Sequence, residues 1–305
     1  MNPLEVKLGT LKLRTPIVLA SGTAGYGEIS TFFNIKNLGA LTLKAVSIRK
    51  RDGNLPPRIA ETPSGIMNAI GLANEGIDYF EKHIVPKLSR LKTTLIANVV
   101  GDSVEEYALI CRKLNRHKII SAIELNVSCP NVKGKKKLFC EDPDVLSAMV
   151  SSCKKASSKP IIVKLPPAVF GIEEMAERVE KAGADMLSLV NTVPAMEIDI
   201  MKERPVLGNN VGGLSGPAIR PIALRLVHRA SQAVKIPIIG GGGVADAADV
   251  IKFILAGATA VSVGTSSMIR PDLTDRLAED LIAILKRKGV DDIAALRGRL
   301  SFNGV

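Results

Sequence analysis

The sequence predicts a (β/α)8 barrel, because eight short apolar runs alternate with amphipathic helical stretches along its 305 residues. Runs of this kind suit parallel strands that are buried on both faces. No linker or low-complexity tract divides the chain, so we expect residues 1–305 to form a single domain. The predicted strands are residues 16–20, 40–43, 94–99, 122–125, 161–163, 186–190, 237–240 and 260–263.

Helix boundary signals support this alternation. Ser103 and Glu106 form a capping-box pattern, and Asp142, which a proline follows, predicts another helix start. Gly183 and Gly257 each stand in an Ala-Gly-Ala sequence that is typical of a helix C-terminus. The apolar runs are therefore separated by helices, as a barrel of parallel strands requires.

Two long excursions, at residues 47 to about 90 and 192 to about 217, interrupt the alternation. We expect both to lie over the barrel mouth, where the strands end and barrel enzymes place their chemistry. Polar or glycine residues stand at the ends of all eight runs, a pattern that solvent exposure alone does not explain. These residues are Ser21, Lys44, Asn98, Asn126, Lys164, Asn191, Gly241 to Gly243, and Gly264 with Thr265.

Composition excludes some classes of function. The net charge is +11, but the basic residues are scattered and aromatic residues make up only 3%, so we predict no nucleic-acid partner. A basic surface suits anionic small molecules or an acidic protein partner. No apolar run is long enough to span a membrane, and no signal peptide is recognisable. Together with free thiols, this predicts a cytoplasmic protein without membrane attachment.

Cys129 is the candidate catalytic residue. It follows a predicted strand, and Pro130 ends that strand because proline cannot donate a ladder hydrogen bond. A basic segment, residues 132–138, comes next, and we expect the loop from residue 132 to residue 140 to act as a lid over the substrate. A single thiol at a strand end beside amide side chains is typical of a catalytic group.

The other cysteines contrast with Cys129. Cys111 and Cys153 match the spacing of apolar helical faces and are predicted to be core residues, whereas Cys140 is ambiguous. There is no C-x-x-C pair and no Cys/His cluster, so we predict no metal site in this chain.

The glycines after the last two strands predict a phosphate site, since glycine lets backbone N–H groups approach a ligand. Tight turns without a ligand are the alternative. Lys44 and Lys164, at strand ends, suit the electron-rich edge of a reduced flavin, or a salt bridge to Glu124 or another core carboxylate. Asn68, Asn126 and Asn191 offer neutral donors and acceptors to a flat imide, although loop capping also explains a lone asparagine.

Eight motifs, in order and at barrel spacing, closely resemble the class 1 dihydroorotate dehydrogenases from about residue 8 to residue 270. They are ASGT at 20–23, TLKAV at 42–46, PSGIMNAIGL at 63–72, NVSCPN at 126–131, VKL at 163–165, VNT at 190–192, GGLSGP at 212–217 and VGT at 263–265. The resemblance implies oxidation of dihydroorotate to orotate in pyrimidine (UMP) biosynthesis, with FMN in the barrel mouth.

The resemblance also implies roles for individual residues. Cys129 would be the base that takes the C5 proton while hydride passes from C6 to the flavin. The residues implied to contact FMN are Ser21, Lys44, Ala45, Asn98, Asn126, Lys164, Val190, Gly216, Gly242, Gly243, Gly264 and Thr265. Those implied to contact substrate are Lys44, Asn68, Ala69, Ile70, Gly71, Leu72, Asn126, Asn191 and Thr192.

Within class 1, the amino-acid sequence around Cys129 is similar to that of the B type. This type implies a homodimeric core joined, as a heterotetramer, to a subunit that carries FAD and a 2Fe-2S cluster and passes electrons to NAD+. The sequence departs from the family in the basic 134–140 loop and in Pro166-Pro167. Alternatives are a fumarate-using class 1A enzyme, a dihydropyrimidine dehydrogenase FMN barrel, an FMN subunit that only relays electrons, and a flavin-free phosphate-binding lyase or isomerase.

Overall fold

The structure is a computed structural model that describes residues 2–32, 35–128, 139–167 and 171–302. Its strands are β1 Val6–Leu8, β2 Leu11–Leu13, β3 Ile17–Leu19, β4 Ala40–Thr42, β5 Ile59–Thr62, β6 Gly65–Asn68, β7 Thr94–Val99, β8 Ala122–Asn126, β9 Ile161–Leu165, β10 Met186–Leu189, β11 Val193–Ala195, β12 Ile198–Asp199, β13 Arg204–Pro205, β14 Gly212–Ser215, β15 Ile238–Gly241 and β16 Ala260–Val263. Its α-helices are α1 Ile77–Tyr79, α2 Val85–Leu88, α3 Val104–Asn115, α4 Pro143–Ala156, α5 Ile172–Lys181, α6 Arg220–Ala233, α7 Ala247–Leu255, α8 Thr265–Ile269 and α9 Leu273–Lys288. A π-helical turn, Phe80–Ile84, joins α1 to α2.

Eight of these strands form a closed parallel barrel, in the order β3, β4, β7, β8, β9, β10, β15 and β16, with β16 pairing back to β3. The predicted (β/α)8 fold is confirmed. The first and last residues of each predicted strand lie within two residues of those of the observed strand. Nearly every barrel residue is buried, because helices cover the outer face and side chains fill the interior.

The two excursions meet in one antiparallel sheet of strand order β11-β14-β6-β5. β5 and β6 belong to the first excursion, and β11 and β14 belong to the second. Gly213 of β14 pairs with Asn68 of β6, which joins the two segments beside the barrel mouth. Gly65 is required at this junction, since an added Cβ would lie 2.0 Å from the Ser215 carbonyl oxygen.

The opposite end of the barrel is closed by the β1–β2 hairpin. Leu8 and Leu13 are completely buried, and the hairpin turn at Gly9 packs near Met186, where β10 begins. This apolar plug leaves the mouth as the open end of the barrel.

The predicted helix starts are confirmed. Ser103 Oγ accepts from the Glu106 N–H at 3.3 Å, and Asp142 Oδ1 accepts from the Val145 N–H at 3.1 Å. The Glu106 carboxylate reaches the N–H of Asp102, at 2.8 Å, one residue before the N-cap that a capping box would use. It still satisfies a backbone donor at the start of α3.

Candidate active site

The carboxyl ends of the barrel strands and the two excursions enclose a cavity of about 700 Å³. This volume is typical of a site for a cofactor and a small ligand. Most of the residues predicted from the sequence line it: Ser21, Lys44, Ala45, Asn68, Ile70, Gly71, Leu72, Asn126, Lys164, Val190, Asn191, Thr192, Gly216, Gly242, Gly243, Gly264 and Thr265.

Asn98 and Ala69 are the predicted contacts that do not line the cavity. Asn98 is the penultimate residue of β7 and is completely buried, and its Nδ2 donates to Glu124 Oε1 at 2.6 Å. Ala69 donates its N–H to the Arg58 carbonyl at 2.8 Å and packs in a small apolar cluster with Met67. Asn98 therefore lies inside the barrel, below the cavity, and Ala69 turns away from it.

Cys129 and residues 132–138 of the predicted lid, which runs to residue 140, lie outside the described residues. The residue before Cys129 is Ser128, which lines the cavity. Ser128 Oγ accepts from Asn191 Nδ2 at 2.9 Å, and the Ser128 N–H donates to Asn126 Oδ1 at 3.3 Å. Tyr107 donates its hydroxyl to the Asn126 carbonyl at 2.6 Å. Hydrogen bonds thus join two of the predicted substrate-binding side chains, Asn126 and Asn191, in a neutral network. Ser128 and Tyr107 also belong to this network, and the sequence analysis did not predict them as site residues.

The glycine turns after β15 and β16 can hold a phosphate. Gly242 and Gly243 have φ of +122° and +85°, a region that L side chains rarely adopt. A Cβ on Gly243 would lie 2.6 Å from the Gly216 carbonyl oxygen. Within the described part of the chain, the N–H groups of Gly242, Gly243, Gly264 and Thr265 donate to no protein acceptor. Free N–H groups from two adjacent loops fit an anionic phosphate group.

A buried carboxylate that the sequence analysis missed supports this loop. Asp249 in α7 is completely buried, and its Oδ2 accepts from Arg220 Nη1 at 2.7 Å and from the Ala245 N–H at 3.1 Å. Lys252 Nζ donates to Oδ1 at 2.8 Å. Burial opposes ionisation of Asp249, but the hydrogen bonds from Lys252 and Ala245 and the charge of Arg220 outweigh it and lower its pKa. The Asp249 carboxylate therefore anchors the backbone at Ala245, two residues beyond the glycine turn that ends at Gly243.

The two lysines of the mouth lack carboxylate partners in the part of the chain that the structure describes. Lys44 and Lys164 both line the cavity, and neither forms an ion pair there. The alternative in which Glu124 pairs with one of them is not observed, since Glu124 accepts from Asn98 instead. Two unpaired cations make the cavity suited to anionic ligands.

The remaining cysteines are poor candidates for the chemistry. Cys111 and Cys153 are completely buried, as predicted. The pKa of Cys111 is raised by its hydrogen bond to the thiol of Cys153 and by burial. Burial, with the nearby Glu141 charge, raises the pKa of Cys140 to about 11. The raised pKa values of Cys111 and Cys140 disfavour their thiolate forms, which argues against either of them as a catalytic base.

The described ranges lack two other classes of feature. They contain no group of three or more His, Cys, Asp or Glu side chains that could hold a metal ion. None of the helices described there has the length and apolarity needed to cross a bilayer.

The closed parallel barrel, with glycine turns, amides and lysines around the cavity at its mouth, defines a (β/α)8 protein of the ligand-binding kind. The chain belongs to the dihydroorotate dehydrogenase family, whose family model matches residues 3–285.

Relatives resemble the chain over nearly its whole length. A protein of Trichlorobacter lovleyi is 47% identical, over 98% of this chain and 99% of its own. A relative from Anoxybacillus flavithermus is 45% identical, over 100% of this chain and 98% of its own. A relative from Bacillus cereus is 44% identical, over 98% of this chain and 97% of its own. All three carry the name dihydroorotate dehydrogenase B (NAD(+)), catalytic subunit.

Proposed function

We propose that this chain is the FMN-containing catalytic subunit of a B-type dihydroorotate dehydrogenase. It oxidises dihydroorotate to orotate in UMP biosynthesis and passes the electrons to NAD+ through a partner subunit. The observation that carries the proposal is that one cavity brings together glycine turns, neutral amides and two lysines that have no carboxylate partner in the described part of the chain. Family membership and near full-length similarity to B-type catalytic subunits support the same conclusion.

The cofactor assignment rests on the fit between the cavity and FMN. The free N–H groups at Gly243 and Gly264 suit its terminal phosphate, and Lys164 suits the pyrimidine edge of its ring. FMN bound there would supply the hydride acceptor for the oxidation. A cation such as Lys164 stabilises negative charge on the reduced ring, which favours reduction.

The substrate assignment rests on the amides and on Lys44. Asn68, Asn126 and Asn191 can each donate and accept, which matches the alternating N–H and C=O groups of a pyrimidine ring. Lys44 supplies a positive charge for the substrate carboxylate. A dihydropyrimidine without the carboxylate would lose that charge pair and bind more weakly.

Cys129 acts as the base that removes the C5 proton. Ser128, the residue before Cys129 in the sequence, accepts a hydrogen bond from Asn191 Nδ2 at 2.9 Å. This contact, close in sequence to Cys129, supports the proposal. A thiol forms its anion far more readily than a serine hydroxyl does, which suits proton abstraction near neutral pH.

The partner proposal follows from the sequence. The chain has no nucleotide-binding fingerprint after a strand and no cysteine cluster for iron–sulfur. We place FAD, the 2Fe-2S cluster and the NAD+ site on a separate subunit, in a heterotetramer built on a homodimer of this chain.

Anaerobic reduction of the FMN-loaded chain tests the function. We expect dihydroorotate to bleach the flavin rapidly and dihydrouracil, the matched compound without a carboxylate, to do so poorly. Cys129→Ser should retain FMN but slow reduction by roughly 10²–10⁴-fold. Equal rates with dihydrouracil would favour the related dihydropyrimidine enzymes, and a normal rate in Cys129→Ser would exclude the thiol as base.

The acceptor is tested separately. The chain alone should reduce artificial dyes with dihydroorotate but not NAD+, and addition of the FAD and iron–sulfur subunit should restore NAD+ reduction. Robust NAD+ reduction by the chain alone would contradict the partner proposal, whereas efficient use of fumarate would favour the A type.

A further inference from the structure

The chain turns at Gly71 and Leu72, two residues that line the cavity. Both have left-handed backbone, with φ of +72° at Gly71 and +58° at Leu72. Glycine adopts this region freely, whereas leucine does so at a cost, because its Cβ comes too close to the following carbonyl oxygen. Such a conformation persists only where the surrounding structure holds it, and it is common at ligand sites. Leu72 therefore requires a contact that stabilises it.

Asn74 supplies that contact from outside the cavity lining. Its Nδ2 donates to the Leu72 carbonyl oxygen at 2.8 Å and to Ser47 Oγ at 2.8 Å. Its Oδ1 accepts from the N–H groups of Ser47, at 3.2 Å, and Gly76, at 2.9 Å. The residue has an exposure of only 4%, and its backbone exchanges two N–H···O bonds with Arg51, of 2.8 and 2.9 Å. The Asn74 amide is thus buried, fully paired and fixed in orientation.

Ser47 connects this amide to the barrel. The residue before it, Val46, forms a parallel bridge with Val99, the last residue of β7. Ser47 is itself buried, so it cannot exchange its contacts with Asn74 for contacts with water without unfolding the turn. A continuous path of hydrogen bonds therefore leads from a barrel strand through Ser47 and Asn74 to the backbone of Leu72 at the cavity.

We propose that Asn74 is a positioning residue for the substrate, which holds Leu72 in its left-handed conformation and so keeps the Gly71–Leu72 turn in the shape that binds the ligand. Within the described residues, the N–H groups of Gly71 and Leu72 donate to no protein acceptor, which leaves them available to a ligand. Successive N–H groups in a turn suit an anionic group, and Lys44 lines the same cavity. Asn74 acts only through Leu72 and does not contact the ligand.

Removal of the amide should lower the fraction of molecules in which Leu72 is left-handed, and the apparent dissociation constant rises by the inverse of that fraction. The choice of orotate as the ligand rests on the proposed function. In Asn74→Ala, we expect the orotate dissociation constant of the FMN-loaded chain to rise about 5- to 10-fold, as the cost of left-handed leucine implies. The half-saturating dihydroorotate concentration should rise by a similar factor. The rate of flavin reduction at saturation should change by less than about 2-fold, since no reacting group is altered.

A double-mutant cycle with Leu72→Gly tests the positioning role. Glycine adopts the left-handed conformation without steric cost, so it needs the Asn74 contact less than leucine does. Orotate binding is measured from the flavin absorbance change in the wild type, both single variants and the double variant. In the Leu72→Gly background, Asn74→Ala should raise the dissociation constant by less than about 2-fold. A general structural role predicts the same factor in both backgrounds, and that result would overturn the proposal, as would an unchanged constant in Asn74→Ala.

Further variants keep the test decisive. Asn115→Ala is the matched control, because the Asn115 amide oxygen also links two segments, through Ser157 and Ser158, but Asn115 does not line the cavity. It should leave orotate binding unchanged. If Asn74→Ala does not fold, Asn74→Asp takes its place in the same cycle. An ionised aspartate still accepts hydrogen bonds but cannot donate to Leu72, and its added charge acts alike in both backgrounds, so the two outcomes are the same.

The positioning role and the proposed function fail separately. A wild type that oxidises dihydroorotate, with equal factors for Asn74→Ala in both backgrounds, refutes the positioning role alone. A wild type that binds orotate without oxidising dihydroorotate refutes the function alone, because the binding cycle can still be read. A wild type that binds no orotate refutes both.

Discussion

Replacement of Asp249 by Asn should destabilise the phosphate end of the site. Asp249 accepts from Arg220, Lys252 and the Ala245 N–H, all of which are donors. An asparagine has one acceptor oxygen, and its NH2 group must face at least one of those donors. Hydrogen bonds to charged groups contribute about 1.5–3 kcal/mol each, but Arg220 and Lys252 are partly exposed and can regain water.

We therefore expect a loss of about 2–3 kcal/mol in the free energy of unfolding. For 305 residues, this corresponds to a fall in Tm of about 3–5 °C. Denaturant unfolding at pH 7 measures the loss, and FMN titration of the apoprotein measures its effect on the loop, which we expect to be about 5- to 10-fold weaker binding. Asp246→Asn is the matched control, because asparagine caps a helix as well as aspartate does.

The pH dependence gives an independent check on Asp249. Its folded pKa is lowered, so its stabilisation is complete above the unfolded pKa of about 3.9 and is lost as pH falls through the folded pKa. The stability gap between wild type and Asp249→Asn should be constant from about pH 5 to 8 and should narrow below about pH 4. A gap under about 0.5 kcal/mol at pH 7, or one that does not narrow in acid, would refute the reasoning.

Further predictions concern the cofactor site and the thiols. Lys164→Met should lower the reduction potential of the bound flavin, as measured by dye equilibration, and an unchanged potential would count against its electrostatic role. Gly243→Ala should weaken FMN binding more than tenfold by titration, since its Cβ would lie 2.6 Å from a carbonyl oxygen; near-normal affinity would exclude this loop as the phosphate site. Iodoacetamide at pH 8, followed by mass spectrometry, should label Cys129 well before Cys111 and Cys140, whose pKa values are raised, and the reverse order would contradict the assignment of the base.

The sequence predicts the barrel well because the barrel depends on local patterns. Apolar runs and helix caps at Ser103 and Asp142 are set by neighbouring residues, and the structure has them where the sequence predicts them. The sheet over the mouth was not predicted, since the pairing of Asn68 with Gly213 joins segments far apart in the chain. No local pattern encodes such a register.

Local patterns also predict most residues of the candidate site. They do not predict contacts between segments that lie far apart in the sequence. Strand ends identify the residues of the mouth, but they cannot show that Asn98 turns below the cavity to meet Glu124. The role of Asp249 depends on the approach of α6, which brings Arg220 to it. On the sequence alone, Asp249 is one more polar residue in the first turn of a helix.

The phosphate end and the substrate end of the site are stabilised by different kinds of group. We therefore expect the two ends to respond differently to acid. The phosphate loop depends on the charge of Asp249, whereas Asn126 is held by the Tyr107 hydroxyl and the Asn191 amide. Amide side chains do not ionise in mild acid, so the contact between Asn126 and Asn191 should persist there. Stopped-flow acidification of the FMN-loaded chain should therefore release flavin before the protein unfolds. Simultaneous loss of flavin and of far-ultraviolet circular dichroism would show instead that the loop has no separate dependence on Asp249.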